Sequence, residues 1–258
     1  MKIASWNVNS IKQRKDHVSD WLKSHAPDVI VLQELKGQDF PDDVFLSEGY
    51  HSTVVNQKAR NGVAILSKEP AKLISDKLHG FEDDEQARYL EIDYKGVRII
   101  GIYAPNGNPV DTEKYDYKLK WTDLLLEHCK SLRDQGIDFL VTGDFNIIPE
   151  NQDCHDPAVW ADDALFRLDT RKRWRALCHL GLTDAFRVLN TKDEQYTFWD
   201  YQAGAWPQNK GIRIDHFLLS PALCDRLQSC RIDPSTRALE KPSDHVPIFV
   251  ELSEKKAA

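Results

Sequence analysis

An apolar run in the middle of the chain, Phe139-Leu140-Val141-Thr142, ends in Gly143-Asp144-Phe145-Asn146. The run predicts a buried strand. Asp144 and Asn146 follow two residues apart, so their side chains are expected to face one pocket. A carboxylate can bind a hard cation or take a proton from water, and an amide can donate to a developing oxyanion. The alternative is an Asx-rich turn that only connects two elements.

Polar residues also stand at the boundaries of five other predicted strands. They are Asn7, Glu34, Tyr103 with Asn106, Asp215, and Asp244 with His245. An unpaired buried carboxylate is costly, so six such boundaries in one chain indicate a shared polar site rather than packing.

Most of these side chains offer oxygen ligands. Carboxylates and amides that leave room for water suit Mg²⁺, or Mn²⁺, better than zinc. The candidate ligands are Asn7, Glu34, Asp144, Asn146, Asp244 and His245. His245 is also the titratable group of the set, and Asp215 is the candidate to orient its imidazole.

The composition restricts the class of protein. Of 258 residues, 41% are hydrophobic and 29% are charged, as in ordinary globular proteins. No run approaches the roughly 20 apolar residues that span a bilayer, so we expect no membrane partner. Five cysteines without a CxxC pair indicate reduced thiols in a cytosolic enzyme. The formal net charge of −7 argues against a protein that coats nucleic acid, although Lys/Arg clusters, densest at 167–175, leave a local basic face open.

Two periodicities alternate along the chain. Eight runs predict strands: Lys2–Asn7, Val29–Gln33, Gly62–Ser67, Tyr89–Tyr94, Val97–Tyr103, Phe139–Thr142, Ile214–Leu219 and Pro247–Leu252. Three patterns predict helices: 10–25 with Asn9 or Ser10 as cap, 117–133, and 171–180 with Gly181 as its stop. Without a linker or repeat, we expect one domain over residues 1–258, with a frayed tail at 254–258, and sheets covered by helices on their outer faces.

Several stretches then match a known family in order and over nearly the whole chain. They are KIASWNVNS, VIVLQE, NGVAILSK, RIIGIYAPNG, KYDYKLKW, FLVTGDFNIIP, YTFWDYQAGAWPQNKGIRIDHFLLS and PSDHVPI. The sequence resembles exonuclease III, the AP-endonuclease branch of the endonuclease/exonuclease/phosphatase superfamily. GDFN with SDH is typical of the superfamily, and WDY with NKGIRIDH favours the DNA-repair branch.

The resemblance implies a fold and an activity. The fold would be α/β, a four-layered sandwich of two mixed β-sheets packed face to face with helices on the outer faces. The activity would be Mg²⁺-dependent cleavage of duplex DNA, 5′ to abasic sites, and removal of 3′ nucleotides or 3′-blocking groups. We expect a monomer in the bacterial cytosol, associated with the nucleoid.

The resemblance also implies roles for site residues. Asn7 and Glu34 match metal positions, and Asp244 with His245 matches the closing dyad. Tyr103 matches the active-site tyrosine.

Three other positions complete the implied chemistry. Asp144 and Asn146 match the pair that activates water and holds the transition state, and Asp215 matches the residue that orients the histidine. Whether Asp144 or His245 is the general base stays open.

The DNA contacts are expected mainly from one segment. Two tryptophans, Trp199 and Trp206, lie near Asn209 and Arg213 in the sequence. They could form the wall of a pocket for a sugar without its base, or they could be core anchors. The candidate contacts to the DNA backbone are Arg88, Asn106, Lys118 and Lys210. Many family members have arginine where this chain has Gln202 and Lys210, so the grip on DNA is expected to differ.

Two other functions compete with this one. A phosphatase of the same superfamily acting on a non-DNA phosphoester would keep every metal and histidine role. A catalytically silent binding module would require loss of Glu34, Asp144 or His245, and all three are present.

Overall fold

The computed structural model describes residues 1–254 of the chain, so most of the predicted tail, 255–258, lies outside the described residues. The strands are β1 Lys2–Asn7, β2 Val29–Gln33, β3 His51–Val55, β4 Val63–Ser67, β5 Lys72–Ser75, β6 Tyr89–Tyr94, β7 Val97–Tyr103, β8 Phe139–Asp144, β9 Thr183–Asp184, β10 Asp215–Leu219, β11 Leu227–Ile232 and β12 Ile248–Leu252. The helices are α1 Ile11–His25, α2 Asp42–Ser47, α3 Glu113–Asp134, α4 Pro157–Trp160, α5 Leu168–His179, α6 Ala185–Leu189 and α7 Pro221–Cys224. No helix within residues 1–254 is long and apolar enough to cross a membrane.

The strands form two six-stranded mixed sheets. The first has the order β11-β12-β1-β2-β4-β3 and the second β5-β6-β7-β8-β10-β9. Each sheet contains one parallel pair, β1 with β2 and β7 with β8, among antiparallel neighbours. The carboxyl ends of both parallel pairs carry the polar residues singled out above, because Asn7 ends β1 and Asp144 ends β8.

Three apolar clusters confirm the four layers. The cluster between the sheets joins Ile3 and Val31 of the first sheet to Ile99 and Phe217 of the second. On the outer face of the first sheet, α1 packs through Ile11, Val18, Trp21 and Leu22. On the outer face of the second sheet, α3 and α5 pack through Trp121, Leu125, Trp174 and Leu177. The interior strands are buried on both faces, which is why they read as continuous apolar runs.

The strands that the sequence did not predict are the sheet edges. The eight predicted strands are present with bounds within two residues of those expected, whereas β3, β5, β9 and β11 were missed. These four are the outermost strands of the two sheets. They are largely exposed or half-buried, so their sequences lack the apolar run that marks an interior strand.

Two turn predictions have different outcomes. The Tyr94-Lys95-Gly96 hairpin is confirmed, with Lys95 and Gly96 both at positive φ between β6 and β7. The predicted cap of α1 is confirmed in position only: Ser10 is the N-cap residue, at φ 91°, but its side chain makes no capping hydrogen bond. The Asn9 side chain instead donates to Asp244 Oδ1 at 2.9 Å, so it serves the polar site rather than the helix.

Candidate active site

The polar strand ends of both sheets meet in one cavity. Asn7 at the end of β1 donates from Nδ2 to Asp144 Oδ2 at the end of β8, at 3.0 Å and fully buried. This bond joins the two sheets, because β1 and β8 belong to different ones. Asp215 opens β10 directly opposite Asp144 in the antiparallel ladder. The cavity, of about 220 Å³, is lined by Glu34, Tyr103, Asn106, Asp144, Asn146, Asp244 and His245 among others.

The loop after β8 is both an Asx turn and part of the site, the two alternatives considered for Asp144 and Asn146. The Asn146 backbone N–H donates to Asp144 Oδ1 at 2.9 Å, which is an Asx turn, and both side chains line the cavity. Asn146 has a left-handed φ of 49°, so the turn, rather than the strand period of two, makes them face the same way. Gly143 is required before the turn, because a Cβ there would lie 1.9 Å from the carbonyl oxygen of Ile102.

His245 is held by a buried carboxylate. Its Nδ1–H donates to Asp215 Oδ2 at 2.8 Å, and its Nε2 lies 3.7 Å from Asp144 Oδ2. Burial opposes a charge on the imidazole, but the carboxylates of Asp215 and Asp144 outweigh it and raise the pKa of His245. Burial likewise raises the pKa of Asp144, which the charged His245 opposes. The two groups compete for a proton, and we place it on His245, whose Nδ1–H is already bound by Asp215.

The carboxylates of Glu34 and Asp244 open into the same cavity. Lys36 pairs with Glu34 Oε1 at 2.9 Å and also donates to Asn9, which in turn donates to Asp244. Glu34, Lys36 and Asn9 all lie at positive φ. Such strained non-glycine residues cluster at functional sites and persist only when their surroundings hold them in place.

The donor set fits a hard divalent cation. Three carboxylates, Glu34, Asp144 and Asp244, face one small cavity, and oxygen ligands of this kind suit Mg²⁺ or Mn²⁺. The ligand atoms of Asp144, Asp215 and His245 also lie within 4.8 Å of one another. In that group Asp215 is already engaged by His245 Nδ1, so we assign it to orienting the imidazole and the metal to the carboxylates of the cavity.

The two candidate amide ligands are partly occupied. Asn7 Oδ1 accepts from the backbone of Asn9 at 3.0 Å, and Asn146 Oδ1 accepts from Asn106 Nδ2 at 3.1 Å. Each oxygen keeps one further lone pair. These amides therefore act first in holding the carboxylates and loops in place.

Tyr103 is kept in its phenol form. Burial, with the nearby carboxylates of Glu34 and Asp144, holds the pKa of Tyr103 well above its usual value of 10.0. The guanidinium of Arg88 lies 5.0 Å from the centre of its ring and donates to its carbonyl oxygen at 3.1 Å. Tyr103 lines the cavity, and its protonated hydroxyl is available as a hydrogen-bond donor.

The apolar wall of the cavity was missed from the sequence. It consists of Trp160, Leu165, Phe198, Ile212 and Ile214. The Phe198 ring lies 5.0 Å from the His245 ring. Phe198 and Asp200 face the cavity, while Trp199 between them does not. The alternation of side chains along an extended segment could therefore have predicted that Phe198 belongs to the apolar wall.

Neither Trp199 nor Trp206, the two tryptophans considered as a pocket wall, lines the cavity. Trp199 is buried among Tyr196, Ala205 and Val246, and Trp206 packs on it with ring centres 4.8 Å apart. Trp199 Nε1 donates to Asn209 Oδ1 at 3.1 Å. These side chains line a separate hollow, in which Trp199 is buried, Trp206 is half-buried and Asn209 is exposed, so Trp199 is a core anchor behind the cavity wall.

Two predicted DNA contacts are also corrected. Arg213 is 0% exposed and is bound by Asp153 at 2.8 Å and Asp184 at 2.9 Å. Lys118 is 1% exposed and donates to the carbonyls of Pro105 and Asn146. Neither cation reaches the surface, so both belong to the framework of the site.

The accessible cations lie beside the cavity. A cleft of about 300 Å³ is lined by Arg60, Arg88 and Lys114 and shares Asn106 and Asn108 with the cavity. Lys210 is exposed. The cluster at 167–175 is instead largely neutralised within the chain. Its ion pairs are Arg167–Asp111, Lys172–Asp169, Arg173–Asp123 and Arg175–Glu150.

Comparison with known proteins agrees with this geometry. The model of the Endonuclease/Exonuclease/phosphatase family matches residues 4–245. The chain belongs to this family. It is 33% identical over 265 residues to exodeoxyribonuclease III of Haemophilus influenzae, covering 97% of this chain and 99% of that relative.

Solved structures of family members superpose closely on the chain. The 3′ phosphatase NExo from Neisseria, bound to a product DNA hairpin, has a TM-score of 0.96 at 37% identity, covering 98% of this chain and all of that one. An AP endonuclease from Archaeoglobus fulgidus has a TM-score of 0.94 at 35% identity, with the same coverage. These likenesses agree with the four-layered α/β sandwich.

Proposed function

We propose that this chain is a metal-dependent DNA-repair phosphodiesterase that incises 5′ to abasic sites in duplex DNA and removes 3′ nucleotides or 3′-blocking groups. The observation that carries the proposal is a cavity lined by Asp144, four further carboxylates, an apolar wall and His245, whose imidazole is held by the buried Asp215. The relatives named exodeoxyribonuclease III, 3′ phosphatase and AP endonuclease support DNA as the substrate.

The cavity and the adjoining cleft carry opposite charges. Five carboxylates line the cavity itself, from Glu34, Asp144, Asp163, Asp200 and Asp244. The adjoining cleft is lined by three cations, from Arg60, Arg88 and Lys114. A phosphate in the cavity needs a cation to neutralise the carboxylates, whereas the next phosphates along a strand would be bound by the cleft.

A divalent cation, Mg²⁺ or Mn²⁺, held by Glu34 and Asp244 would neutralise charge on the phosphate and ease departure of the 3′ oxygen. Asp144, fixed by Asn7 and the backbone of Asn146, orients and deprotonates the attacking water. His245, held by Asp215, binds a phosphate oxygen. Preorganised donors of this kind act on charge that develops in the transition state.

The remaining donors of the site are Tyr103 and Asn146. The Tyr103 phenol stays protonated and donates to a non-bridging oxygen of the phosphate. The side-chain amide of Asn146 donates to the phosphate next to the Tyr103 hydroxyl.

The apolar wall suits a deoxyribose that has lost its base. Phe198, Ile212 and Ile214 present carbon to the cavity, next to the catalytic groups. We further propose that the enzyme works as a monomer in the bacterial cytosol near the nucleoid, where its unpaired cysteines would stay reduced.

The test is cleavage with Mg²⁺ of a duplex that contains one abasic site. An intact duplex, a duplex with a 3′ phosphate and a soluble inositol phosphate are run beside it, with chelator and Asp144→Asn as controls. We expect incision 5′ to the abasic site and release of the 3′ phosphate. Hydrolysis of the inositol phosphate with all DNA substrates intact would favour the phosphatase of the same superfamily instead.

A further inference from the structure

Lys118 places a cation beneath the active site without access to solvent. It lies on α3, is 1% exposed, and donates from Nζ to the carbonyl oxygen of Asn146 at 2.6 Å and to that of Pro105 at 3.0 Å. Both acceptors are main-chain carbonyls rather than carboxylates. The two carbonyls belong to different loops, one after β7 and one after β8.

These two loops carry the donors of the cavity. Asn146 donates from its side chain to Ala104 O at 3.0 Å and accepts from Asn106 at 3.1 Å. The backbone of Asn146 is left-handed at φ 49°, a conformation that asparagine adopts more readily than most non-glycine residues. The bond from Lys118 to the Asn146 carbonyl is therefore made at the residue where the loop after β8 turns.

The stem of Lys118 is fixed as well as its ammonium. Gly107 lies at φ 91°, and a Cβ there would lie 2.5 Å from Lys118 Cδ and 3.2 Å from Lys118 Cβ. The backbone of the loop after β7 thus packs directly on the lysine side chain. Through Lys118, helix α3 therefore contacts both loops.

Stability alone does not explain a cation here. Lys118 is buried, and its ammonium donates to two neutral main-chain carbonyls rather than to a carboxylate. Burying an ion has a desolvation cost that an apolar side chain of similar volume avoids. A buried ammonium at this position is therefore expected to contribute geometry rather than stability.

We propose that Lys118 is a positioning residue for the reaction, which clamps the loop after β8 to the loop after β7 so that the Asn146 side chain is directed at the phosphate. The inference rests on the proposed phosphodiesterase function. Lys118 acts through Asn146 and touches neither DNA nor metal. Its removal should therefore lower kcat while leaving KM nearly unchanged.

The experiment compares Lys118→Met with Arg133→Met. Arg133 is a matched control: it lies on the same helix, also donates to a main-chain carbonyl, Leu180 O at 3.1 Å, and is 15 residues away, roughly 22 Å along the helix axis. On abasic duplex DNA we expect Lys118→Met to lower kcat roughly 10- to 100-fold, up to the effect of losing one oxyanion donor. KM and the salt dependence should stay within threefold, and Arg133→Met should match the wild type in kcat.

A double-mutant cycle separates positioning from a general structural role. If Lys118 acts through Asn146, adding Lys118→Met to Asn146→Ala should lower kcat by less than a further threefold. Fully additive losses, or a wild-type kcat for Lys118→Met, would overturn the proposal. A large rise in KM with a flatter salt slope would also overturn it, because that result is typical of a direct phosphate contact.

Hydrogen exchange in the free protein tests the clamp without any substrate. Backbone amides at 145–148 should exchange at least tenfold faster in Lys118→Met than in Arg133→Met, and unchanged exchange would refute the clamp. If the wild type cleaves no DNA, the proposed function fails while this measurement still decides the clamp. Should Lys118→Met fail to fold, Lys118→Gln retains one donor group and should give an intermediate kcat and intermediate exchange.

Discussion

Replacing Asp215 by asparagine tests whether the buried Asp215–His245 pair carries the proposed reaction. The two side chains are 0% and 4% exposed, and the bond between them is 2.8 Å long. Asp215 orients the imidazole that is proposed to donate to a phosphate oxygen, and losing one preorganised donor of this kind costs about 2.7–4 kcal/mol of transition-state stabilisation. At about 1.4 kcal/mol for each factor of ten, this corresponds to a decrease in kcat of roughly 100- to 1,000-fold.

The assay is single-turnover cleavage of a duplex with one abasic site, with DNA affinity measured separately by fluorescence anisotropy. Affinity should stay within threefold of the wild type, because Asp215 is buried behind the imidazole. Asp233→Asn is the matched control, since Asp233 pairs with His25 Nε2 at 3.6 Å, at the far end of α1. That variant should keep the wild-type rate.

One result would refute the reasoning about the pair. If Asp215→Asn cleaves within threefold of the wild type while Asp144→Asn in the same assay is strongly impaired, the orientation of His245 does not limit the reaction. The imidazole would then be held adequately by its packing against Phe198.

Three further predictions concern other parts of the molecule. Asp144→Asn should lower turnover at least a hundredfold while DNA binding persists, and retained activity would remove the site assignment. Lys114→Gln should reduce the slope of log affinity against log salt by about one. Arg173→Gln should leave this slope unchanged, because Arg173 is already paired with Asp123. The same slope in Lys114→Gln and the wild type would place the cleft off the DNA path. Burial raises the pKa of Glu91, but hydrogen bonds from His128 and other neighbours outweigh this and lower the pKa from 4.5 to about 2. The ionised Glu91 therefore stabilises the fold by about 3 kcal/mol. This contribution is complete above pH 4.5 and is lost as the pH falls through about 2. Urea midpoints at pH 6 and pH 2.5 should therefore differ less in Glu91→Gln than in the wild type, and equal differences would contradict this.

The sequence by itself determined the interior of the fold. Strands such as β2 and β4 are buried on both faces, so each appears as an apolar run that needs no knowledge of its neighbours. The edge strands β3 and β11 could not be found in this way, because one side of each faces solvent and their composition resembles that of loops. Polar residues at the ends of interior strands could likewise be recognised as a set, because burial makes them costly unless they are paired.

Only the tertiary structure decided which way the charged and aromatic residues face. Lys118, Arg213 and Trp199 have the residue types of DNA contacts, but their directions depend on packing partners far away in sequence. Arg213 is enclosed by Asp153 and Asp184, and Trp199 turns inward while its neighbour Phe198 turns to the cavity. The bond from Asn7 to Asp144 spans 137 residues and exists only because the two sheets pack face to face. The sequence thus supplied the chemical groups of the site, and the packing of the sheets determined which of them line the cavity and which only hold its loops in place.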